Sequence, residues 1–339
     1  MKWTAANGPR RAGAAVLGLA LTAGAANADE INPAVIYDLG GKFDRSFNQA
    51  SHTGAERFRE ETGIAYRDFE LQSDAQREQA LRRFAEQGHN PVIVTGFAYG
   101  SAMEEIAPDF PDTNFVIIDM VVDLPNVRSV VFNEHEGSYL VGVLGAMASE
   151  TGTLGFVGGM DIPLIRKFAC GYVQGVMATN PDATVLQNMT GTTGAAWNDP
   201  VRGGELARAQ IDQGADVIYH AAGGTGVGVL QAAADADVYG IGVDSNQNYM
   251  HPGNVLTSML KRVDVAVYDA MMDVKEGEWT TGVVVLGLAE DGVGWALDEH
   301  NEDLITAEMR EAVEEAERRI IAGEIEVHDY TTDGTCPVQ

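Results

Sequence analysis

The chain has 339 residues, of which 45% are hydrophobic and 21% charged, so it is long enough to fold into two domains with separate cores. Fifty acidic side chains against 22 basic ones give a formal net charge of −28. A field of this sign repels nucleic acids and anionic membrane surfaces, and it favours a soluble monomer. The acids are spread over helix faces such as 302–317, which argues against a cation-binding protein.

The first 28 residues have the features of a cleaved secretory signal peptide. Three basic residues give a positive start, residues 12–24 are small and apolar, and residues 26–28 form an A-x-A cleavage site. The apolar stretch is shorter than the roughly 20 residues that span a bilayer. No cysteine follows it to accept a lipid anchor. We therefore expect export by general secretion to a periplasm, without a tether.

Six apolar runs, separated by segments of helix length, predict strands of parallel sheets that are buried on both faces. Each run ends in a short loop rich in glycine, aspartate and aromatic or amide residues. In open sheets of this kind, ligands bind just beyond the carboxyl ends of the strands. The sequence therefore predicts an α/β protein that holds a small, flat, polar molecule at these ends. The runs are Val35–Asp38, Val92–Thr95, Phe115–Asp119, Leu154–Val157, Val217–His220 and Tyr239–Asp244.

Four of these runs belong to a pattern that occurs twice in the chain, with two runs in each copy. Residues 76–119 and 201–244 both predict a helix, a glycine turn, an apolar strand, a glycine loop, a second helix and a strand that ends in aspartate. Asp119 and Asp244 therefore occupy equivalent positions in two similar α/β lobes. Lobes that face each other form a cleft, and clefts between domains are preferred ligand sites.

The sequence lacks the common catalytic motifs. HExxH, GxSxG and GxxxxGK[ST] do not occur, and the seven histidines are dispersed. His220, at a strand end, is interpreted as a hydrogen-bonded structural residue. Residues 224–228 with Asp244 imitate a dinucleotide fingerprint, but the third glycine lies one position early. We therefore expect no enzymatic activity and no cofactor.

Cys170 and Cys336 are the only cysteines of the chain. Disulfides persist in an exported protein, and a bond between these two would tie a carboxyl-terminal tail, residues 331–339, to the second lobe. Pairing depends on a distance that the sequence does not show, so the sequence leaves it open. Two distant cysteines without clustered histidines predict no metal site.

Five segments with distinctive combinations of glycine, aromatic and charged residues follow one another along the chain. The first four of them contain or directly follow the end of a predicted strand, and the second of these also contains Cys170. They are DLGGKFDRSFNQA (38–50), GGMDIPLIRKFACGYVQG (158–175), AAGGTGVGVLQAA (221–233), GVDSNQ (242–247) and TSMLKRVDVAVYDA (257–270).

Together these segments resemble the basic membrane protein family, the substrate-binding proteins of ABC importers whose best-understood branch is purine-nucleoside receptors. The resemblance runs over nearly all of residues 33–330. It implies a type I periplasmic-binding-protein fold, with two Rossmann-like lobes, parallel sheets and a hinge of three crossovers. The first lobe would comprise 31–134 plus 257–280, and the second 135–256 plus 281–330.

The resemblance implies a role for several side chains toward a purine base. Phe47 would stack on one face of the base, and Trp197 would cover the other face, where the family's nucleoside receptors tend to have phenylalanine. Asn48 and Asp119 would hydrogen-bond the edge of the base. Phe47 has the alternative of a core position in its helix, and Trp197 that of covering a helix that begins near Asp199.

Further residues would hold the ribose. The resemblance assigns its hydroxyl groups to Asp244 and Lys261, and a backbone contact to Gly224. Asp38, at the end of the first strand, is a weaker candidate. Asp119 and Asp244 have the alternative of capping the turns that follow them, and Lys261 that of a surface lysine.

The function that the resemblance implies is a periplasmic solute-binding protein that captures guanosine, inosine or adenosine and delivers it to an ABC permease. Other interpretations keep the fold and change the ligand to a free purine, another heterocycle or a sugar. A ligand-sensing protein that docks on a membrane receptor is a further alternative.

Overall fold

The structure, a computed structural model, describes residues 31–338. The signal peptide predicted for residues 1–28 lies outside the described residues. Within residues 31–338, no helix has both the length and the apolar character needed to cross a bilayer. The described chain forms two sheets flanked by helices, which is the α/β architecture predicted from the apolar runs.

The first sheet has six strands among the described residues, and all of its pairs are parallel. Its three central strands are buried at every position, which explains their continuous apolar sequences. From one edge to the other, its strands are β11 (Gly282–Leu286), β5 (Val127–Phe132), β4 (Phe115–Ile118), β3 (Val92–Thr95), β1 (Ala34–Tyr37) and β2 (Arg67–Glu70).

The second sheet also has six strands in the described part of the chain, and it is parallel except at one edge. The edge strand β12 (Val293–Trp295) runs antiparallel to its neighbour. The other strands, in order from that neighbour, are β10 (Val255–Lys261), β9 (Tyr239–Asp244), β8 (Val217–Ala221), β6 (Thr153–Met160) and β7 (Thr184–Gly191).

The helices between the strands cover the sheets, and their ends follow local sequence signals. One of them begins at Pro200 after Asp199, whose side chain accepts a hydrogen bond from the N–H of Arg202, which confirms the predicted helix start. In residues 31–338 the α-helices are α1 (Phe47–Thr62), α2 (Arg77–Glu86), α3 (Gly100–Ile106), α4 (Glu134–Ala148), α5 (Pro163–Thr179), α6 (Pro200–Ile211), α7 (Gly226–Asp235), α8 (Val263–Glu276) and α9 (Ala307–Ile321).

Helices α4 and α5 approach each other closely because glycines line their contact. A Cβ atom at Gly171 would lie 2.3 Å from the carbonyl oxygen of His135, and one at Gly175 would lie 2.1 Å from that of Tyr139. No residue larger than glycine fits at either position without moving the backbone. This close packing brings the first turn of α4 beside the first half of α5.

The predicted repeat is confirmed. Residues 76–119 contain α2, β3, α3 and β4, and residues 201–244 contain most of α6 followed by β8, α7 and β9. Asp119 follows β4 directly and Asp244 ends β9. Both have positive φ, 69° and 63°, so each chain turns sharply at the aspartate.

The observed sheets differ from the predicted lobe boundaries at two places. Residues 257–280 were expected in the first lobe, but β10 pairs with β9 in the second sheet. Residues 281–330 were expected in the second lobe, but β11 pairs with β5 in the first sheet. An apolar run indicates that a strand is buried, but not which distant strand accepts its hydrogen bonds. The three crossovers between the sheets follow β5, β10 and β11.

The carboxyl-terminal tail lies against the second lobe. A disulfide joins Cys336 to Cys170 on α5, and the two Cα atoms are 5.6 Å apart. A short 3₁₀ turn at Tyr330–Thr332 packs on the same helix. The tail therefore continues the structure beyond α9.

Candidate ligand-binding site

A cavity lies where the carboxyl ends of the two sheets face each other. It leaves about 570 Å³ of space free of protein atoms, a volume that includes space open to solvent. Both lobes contribute to its wall. The predicted site residues that line the cavity are Asp38, Phe47, Asn48, Asp119, Trp197, Asp244 and Lys261.

Gly224, the predicted backbone contact, lies one residue away from the cavity wall, and Gly223 lines the wall instead. Gly223 has a φ of 56°, and it opens the 3₁₀ turn that follows β8. A Cβ atom at this position would lie 3.4 Å from the carbonyl oxygen of Trp197. The path of the turn decides which of two adjacent glycines faces the cavity, and the sequence does not show that path.

Lys261 lies at the centre of the site, buried at the last position of β10, so it is not a surface lysine. Its Nζ is 2.7 Å from Oδ2 of Asp119 and 2.9 Å from Oε1 of Glu134. The rings of Phe47 and Phe132 each have their centroid 5.0 Å from this Nζ, which adds cation–π attraction. Burial acts to lower the pKa of Lys261, but the carboxylates raise it overall. The ammonium therefore stays charged and has a third N–H available.

Asp119 has one carboxylate oxygen in use and one free. Oδ2 accepts a hydrogen bond from Lys261, whereas Oδ1 is buried and has no partner among the described residues. Burial raises the pKa of Asp119 to about 6, although Lys261 opposes the shift. A buried acceptor without a donor is costly, so Oδ1 is suited to accept a hydrogen bond from a ligand.

Asp244 links the two lobes. Its Oδ2 accepts a hydrogen bond from Oγ of Ser46, which precedes α1 in the first lobe. Burial raises the pKa of Asp244 to about 6, while Lys261 and Ser46 act to lower it. Neighbouring bonds also cross the cleft: Ser245 Oγ donates to the carbonyl oxygen of Ser46 at 2.9 Å, and Gln247 Nε2 donates to that of Arg45 at 2.9 Å. The structure is thus a closed arrangement of the lobes.

Asp44 lines the cavity and was not identified from the sequence. Its carboxylate accepts hydrogen bonds from the backbone N–H groups of Ser46, Asn48 and Gln49, at 2.8, 3.0 and 3.0 Å. Burial raises the pKa of Asp44 to about 6 despite these donors. The aspartate fixes the first turn of α1, which carries Phe47. An aspartate just before a helix is a capping signal that could have indicated it.

The amide of Asn48 is largely occupied by the loop before α1. Its Oδ1 accepts from the N–H of Asp38 at 3.1 Å, and its Nδ2 is 3.3 Å from the carbonyl oxygens of Asp38 and Gly41. Asn48 therefore shapes the wall of the cavity through the loop 38–41. Its predicted bond to the edge of a base stays a prediction.

Asp38 is held by an arginine that sequence analysis missed. Arg77 Nη2 forms an ion pair with Oδ1 of Asp38, and the same oxygen accepts from the N–H of Leu39 at 2.8 Å. Burial raises the pKa of Asp38, although Arg77 acts against this. These contacts give Asp38 a structural role beside the cavity.

The aromatic residues of the wall come from both lobes. Phe47 is the first residue of α1, and Trp197 ends the 3₁₀ turn Gly194–Trp197. Gly159 makes room for the indole, since a Cβ atom there would lie 2.0 Å from its Cζ3. Phe97 and Phe168 also line the cavity, and sequence analysis did not identify them.

Glu134 and Lys167 extend the charged centre and were also missed. Nζ of Lys167 is 3.1 Å from Oε2 of Glu134 and donates to the carbonyl oxygen of Phe132 at 2.7 Å. Burial acts to raise the pKa of Glu134, but Lys261 and Lys167 hold it below its ordinary value. The only sequence signal was a lysine within an apolar stretch of α5.

His220 has the structural role expected from the sequence. The side chain is buried, and its Nε2 lies 3.0 Å from Oε1 of Gln247. Burial lowers the pKa of His220 to about 4, so the ring is neutral at pH 7. It supports the loop that crosses the cleft.

Comparisons with known proteins show the family to which the chain belongs. Residues 31–331 match the Bmp family, described as ABC transporter substrate-binding protein PnrA-like. An ABC transporter nucleoside-binding protein, BmpA of Lactococcus lactis, is 33% identical over 88% of this chain and 89% of its own length. An uncharacterized lipoprotein of Pyrococcus abyssi is 36% identical over 80% of this chain and 70% of its own length.

A solved structure is similar in both sequence and fold. It is an ABC transporter system solute-binding protein from Aeropyrum pernix K1, with a TM-score of 0.81 and 32% identity. The match covers 88% of this chain and 93% of that chain. The fold of two lobes predicted from the sequence is thereby confirmed.

Proposed function

The chain belongs to the family of PnrA-like ABC transporter substrate-binding proteins, and we propose that its ligand is a purine nucleoside. The family consists of proteins that bind a small molecule for an ABC permease, rather than enzymes. The observation that carries the proposal is the composition of the cavity. Each lobe contributes one predicted stacking residue, Phe47 or Trp197, and one predicted hydrogen-bonding carboxylate, Asp119 or Asp244.

The polar groups suit the two parts of a nucleoside. Oδ1 of Asp119 lacks a partner among the described residues, and it would accept from an N–H group of the base. Asp244 and the third N–H of Lys261 would hold ribose hydroxyls, since a carboxylate accepts from two neighbouring hydroxyl groups. Gly223 replaces Gly224 as the backbone contact.

The interactions are of the size that micromolar binding needs. Stacking on an aromatic side chain contributes roughly 1–3 kcal/mol per base, and a hydrogen bond to a charged group about 1.5–3 kcal/mol. Two stacking contacts and two carboxylates would together contribute roughly 5–12 kcal/mol before the losses that come from ordering the ligand and the lobes. Micromolar affinity corresponds to a net value of roughly 8 kcal/mol, which lies within this range.

The proposed place of action is the periplasm, with the protein as a monomer that has no lipid anchor. The features of residues 1–28 and the strongly acidic composition support this proposal, while the relative from Pyrococcus abyssi is named a lipoprotein. The mass of the exported protein tests it. A mass that includes a diacylglyceryl group would contradict the absence of an anchor.

A thermal-shift screen with nucleosides, free bases and sugars tests the ligand. Guanosine, inosine or adenosine is expected to raise the melting temperature, because a ligand at 100 times its Kd stabilises the folded state by about 2.7 kcal/mol. Ribose and simple sugars are expected to leave it unchanged. A screen in which only sugars stabilise the protein would overturn the nucleoside assignment.

A further inference from the structure

One face of α5 is occupied by the carboxyl-terminal tail, which comprises residues 328–338 and so begins three residues before the predicted boundary at 331. Lys167, Cys170 and Gln174 are spaced three and four residues apart, so they share that face. Cys170 is bonded to Cys336, and the amide of Gln174 exchanges two hydrogen bonds with the backbone of His328, at 3.0 and 2.8 Å. The tail is thus attached to α5 along two turns of the helix.

A different face of the same helix lines the cavity. Leu164, Ile165 and Phe168 all belong to the cavity wall, and Ile165 and Phe168 are buried. Helix α5 therefore lies between the tail and the candidate ligand site. Lys167, the residue before Phe168, contacts a carboxylate on the tail side of the helix and another in the interior.

A chain of ion pairs with alternating sign runs from the tail to the cavity. Nζ of Lys167 is 3.3 Å from Oδ2 of Asp329 and 3.1 Å from Oε2 of Glu134. Glu134 in turn contacts Lys261, which contacts Asp119. The four inner side chains are 1–9% exposed, whereas that of Asp329 is 22% exposed. Because water screens buried charges weakly, removing a charge at one end of this chain of ion pairs changes the strength of the ion pairs at the other end.

We propose that the tail is part of the ligand-binding machinery, because Asp329 and Lys167 determine how Glu134 shares Lys261 with Asp119. Asp329 and Lys167 are positioning residues in this scheme, and Asp119 is the group that meets the ligand. The inference rests on the proposed ligand site, since it concerns the carboxylate assigned to a base.

The charged surroundings of the cluster give the direction of each effect. Asp119 faces Lys261, Glu134 and Asp244, and burial raises its pKa to about 6. The groups that act on Lys167 are Glu134 and Asp329, and both raise its pKa against the effect of burial. His135 and His328 lie beside this part of the network, and burial lowers the pKa of His135 to about 4.

Two substitutions are expected to move the titration of Asp119 in opposite directions. In Asp329→Asn, Glu134 is the only carboxylate left beside Lys167, so Glu134 interacts less strongly with Lys261. Lys261 then stabilises the charged form of Asp119 more strongly, and the midpoint of the Asp119 titration falls. In Lys167→Met, Lys261 is the only cation left beside Glu134, so Lys261 interacts less strongly with Asp119. The charged form of Asp119 is then less stable, and the midpoint of its titration rises. Each shift is expected to be about half a pH unit or more, as for removal of one charge in a buried network.

The midpoint is measured without ligand, by NMR of the carboxylate carbons in protein labelled at aspartate. The signal of Asp119 is assigned by its loss in Asp119→Asn. Asp273→Asn is the matched control, because Asp273 is also a partly exposed partner of a buried cation, with Oδ2 2.6 Å from Nη1 of Arg128. The control is expected to leave the midpoint of Asp119 unchanged.

Further variants separate positioning from stability. Lys167→Arg keeps the charge and is expected to restore the wild-type midpoint. The double variant Cys170→Ser with Cys336→Ser frees the tail and is expected to shift the midpoint in the direction of Asp329→Asn. If Lys167→Met does not fold, Asp329→Asn and the double variant still carry the test.

Binding of inosine completes the experiment. Lys167→Met is expected to weaken it about twofold at pH 6, because a rise of about half a pH unit in the midpoint of Asp119 halves the fraction of this carboxylate that is ionised at that pH. Midpoints that stay at the wild-type value in Asp329→Asn and in the double variant would overturn the inference. If the midpoints shift as expected but the wild-type protein binds no nucleoside, the coupling stands and the proposed function fails.

Discussion

Asp119 and Asp244 occupy the same position in two copies of one supersecondary pattern, yet they have different partners. Each stands at the carboxyl end of a central strand, each has positive φ, and burial raises the pKa of each to about 6. Both carboxylates meet a side chain of the opposite lobe: Asp119 is bonded to the buried ammonium of Lys261 at the end of β10 and keeps one oxygen free, whereas Asp244 accepts a hydrogen bond from the hydroxyl group of Ser46. The repeated topology thus sets where a carboxylate stands, and residues distant in sequence set what it can do.

The difference separates two tasks at one site. Asp119 pairs with Lys261 of the second lobe inside a buried charged network, so its loss disturbs the ligand contact and leaves the network short of a carboxylate. Asp244 accepts its contact between the lobes from a neutral hydroxyl group, so its loss affects closure and the ligand but leaves the Asp119–Lys261–Glu134 pairs in place. The predictions below, from the largest expected effect to the smallest, test this division.

The largest effect is expected from Lys261→Met. This change leaves Asp119 and Glu134 buried without their shared cation, and breaking a buried pair in this way costs about 3–5 kcal/mol. The free energy of unfolding, measured by denaturant titration, is expected to fall by that amount. The control is Lys42→Met, because Lys42 pairs with Asp68 at 2.6 Å nearer the surface, where about 0–1 kcal/mol is expected. Equal losses in the two variants would show that the network around Asp119 has no special weight.

The next effect distinguishes the two aspartates by ligand. Asp244→Ala is expected to weaken binding of inosine by about 1.5–3 kcal/mol, the value of a hydrogen bond to a charged group, and to weaken hypoxanthine much less, through the lost contact between the lobes alone. Asp119→Ala is expected to weaken both ligands. Calorimetric titration of each variant with each ligand provides the four affinities. Equal losses of inosine and hypoxanthine in Asp244→Ala would contradict the assignment of this residue to ribose.

The aromatic side chains allow the same comparison between lobes. Trp197→Ala is expected to weaken inosine by about 1–3 kcal/mol through lost stacking, and the fluorescence of Trp197 is expected to change during titration of the native protein. Trp279→Phe serves as the control, because Trp279 stacks on Arg128 outside the cavity. Unchanged affinity in Trp197→Ala would leave this residue with only its packing against Gly159.

The smallest effect concerns pH. Because the pKa of each aspartate in the folded protein is about 6, each carboxylate is half protonated at pH 6 and loses acceptor strength. Affinity for inosine is expected to fall about twofold for each carboxylate at pH 6 relative to pH 8. Asp244→Ala is expected to remove one of the two steps. An affinity that is flat between pH 5 and 8 would exclude both groups as acceptors.

Stability without ligand is expected to change in the opposite direction. The pKa of both aspartates is raised from 3.8, so the folded state binds their protons more tightly than the unfolded state. At neutral pH the two carboxylates therefore lower the free energy of unfolding. As the pH falls through about 6 toward 3.8, they lower it less, so this part of the stability is regained.

Local signals in the sequence were sufficient for much of the fold. Strands β1, β3, β4, β6, β8 and β9 were predicted because a strand buried on both faces needs a continuous apolar run, and such a run is visible in the sequence. The same reasoning placed Asp119 and Asp244 at equivalent strand ends. The helix start at Pro200 followed from its capping aspartate. Most of the cavity wall then follows, because ligands in such sheets bind at the strand ends.

What the tertiary structure decided depends on contacts between residues far apart in the chain. The sheet that accepts β10 or β11, the arginine that pairs with Asp38, and the choice of Gly223 over Gly224 have no local signature. Glu134 and Lys167 resemble ordinary helix residues in sequence, and only the close packing of α4 on α5 brings Lys167 to Glu134, which in turn contacts Lys261. The sequence by itself determined where the strands and their terminal carboxylates lie, since each position of a strand that is buried on both faces requires an apolar residue. The partners of those carboxylates were decided by folding, because an ion pair depends on a distance that no local pattern encodes.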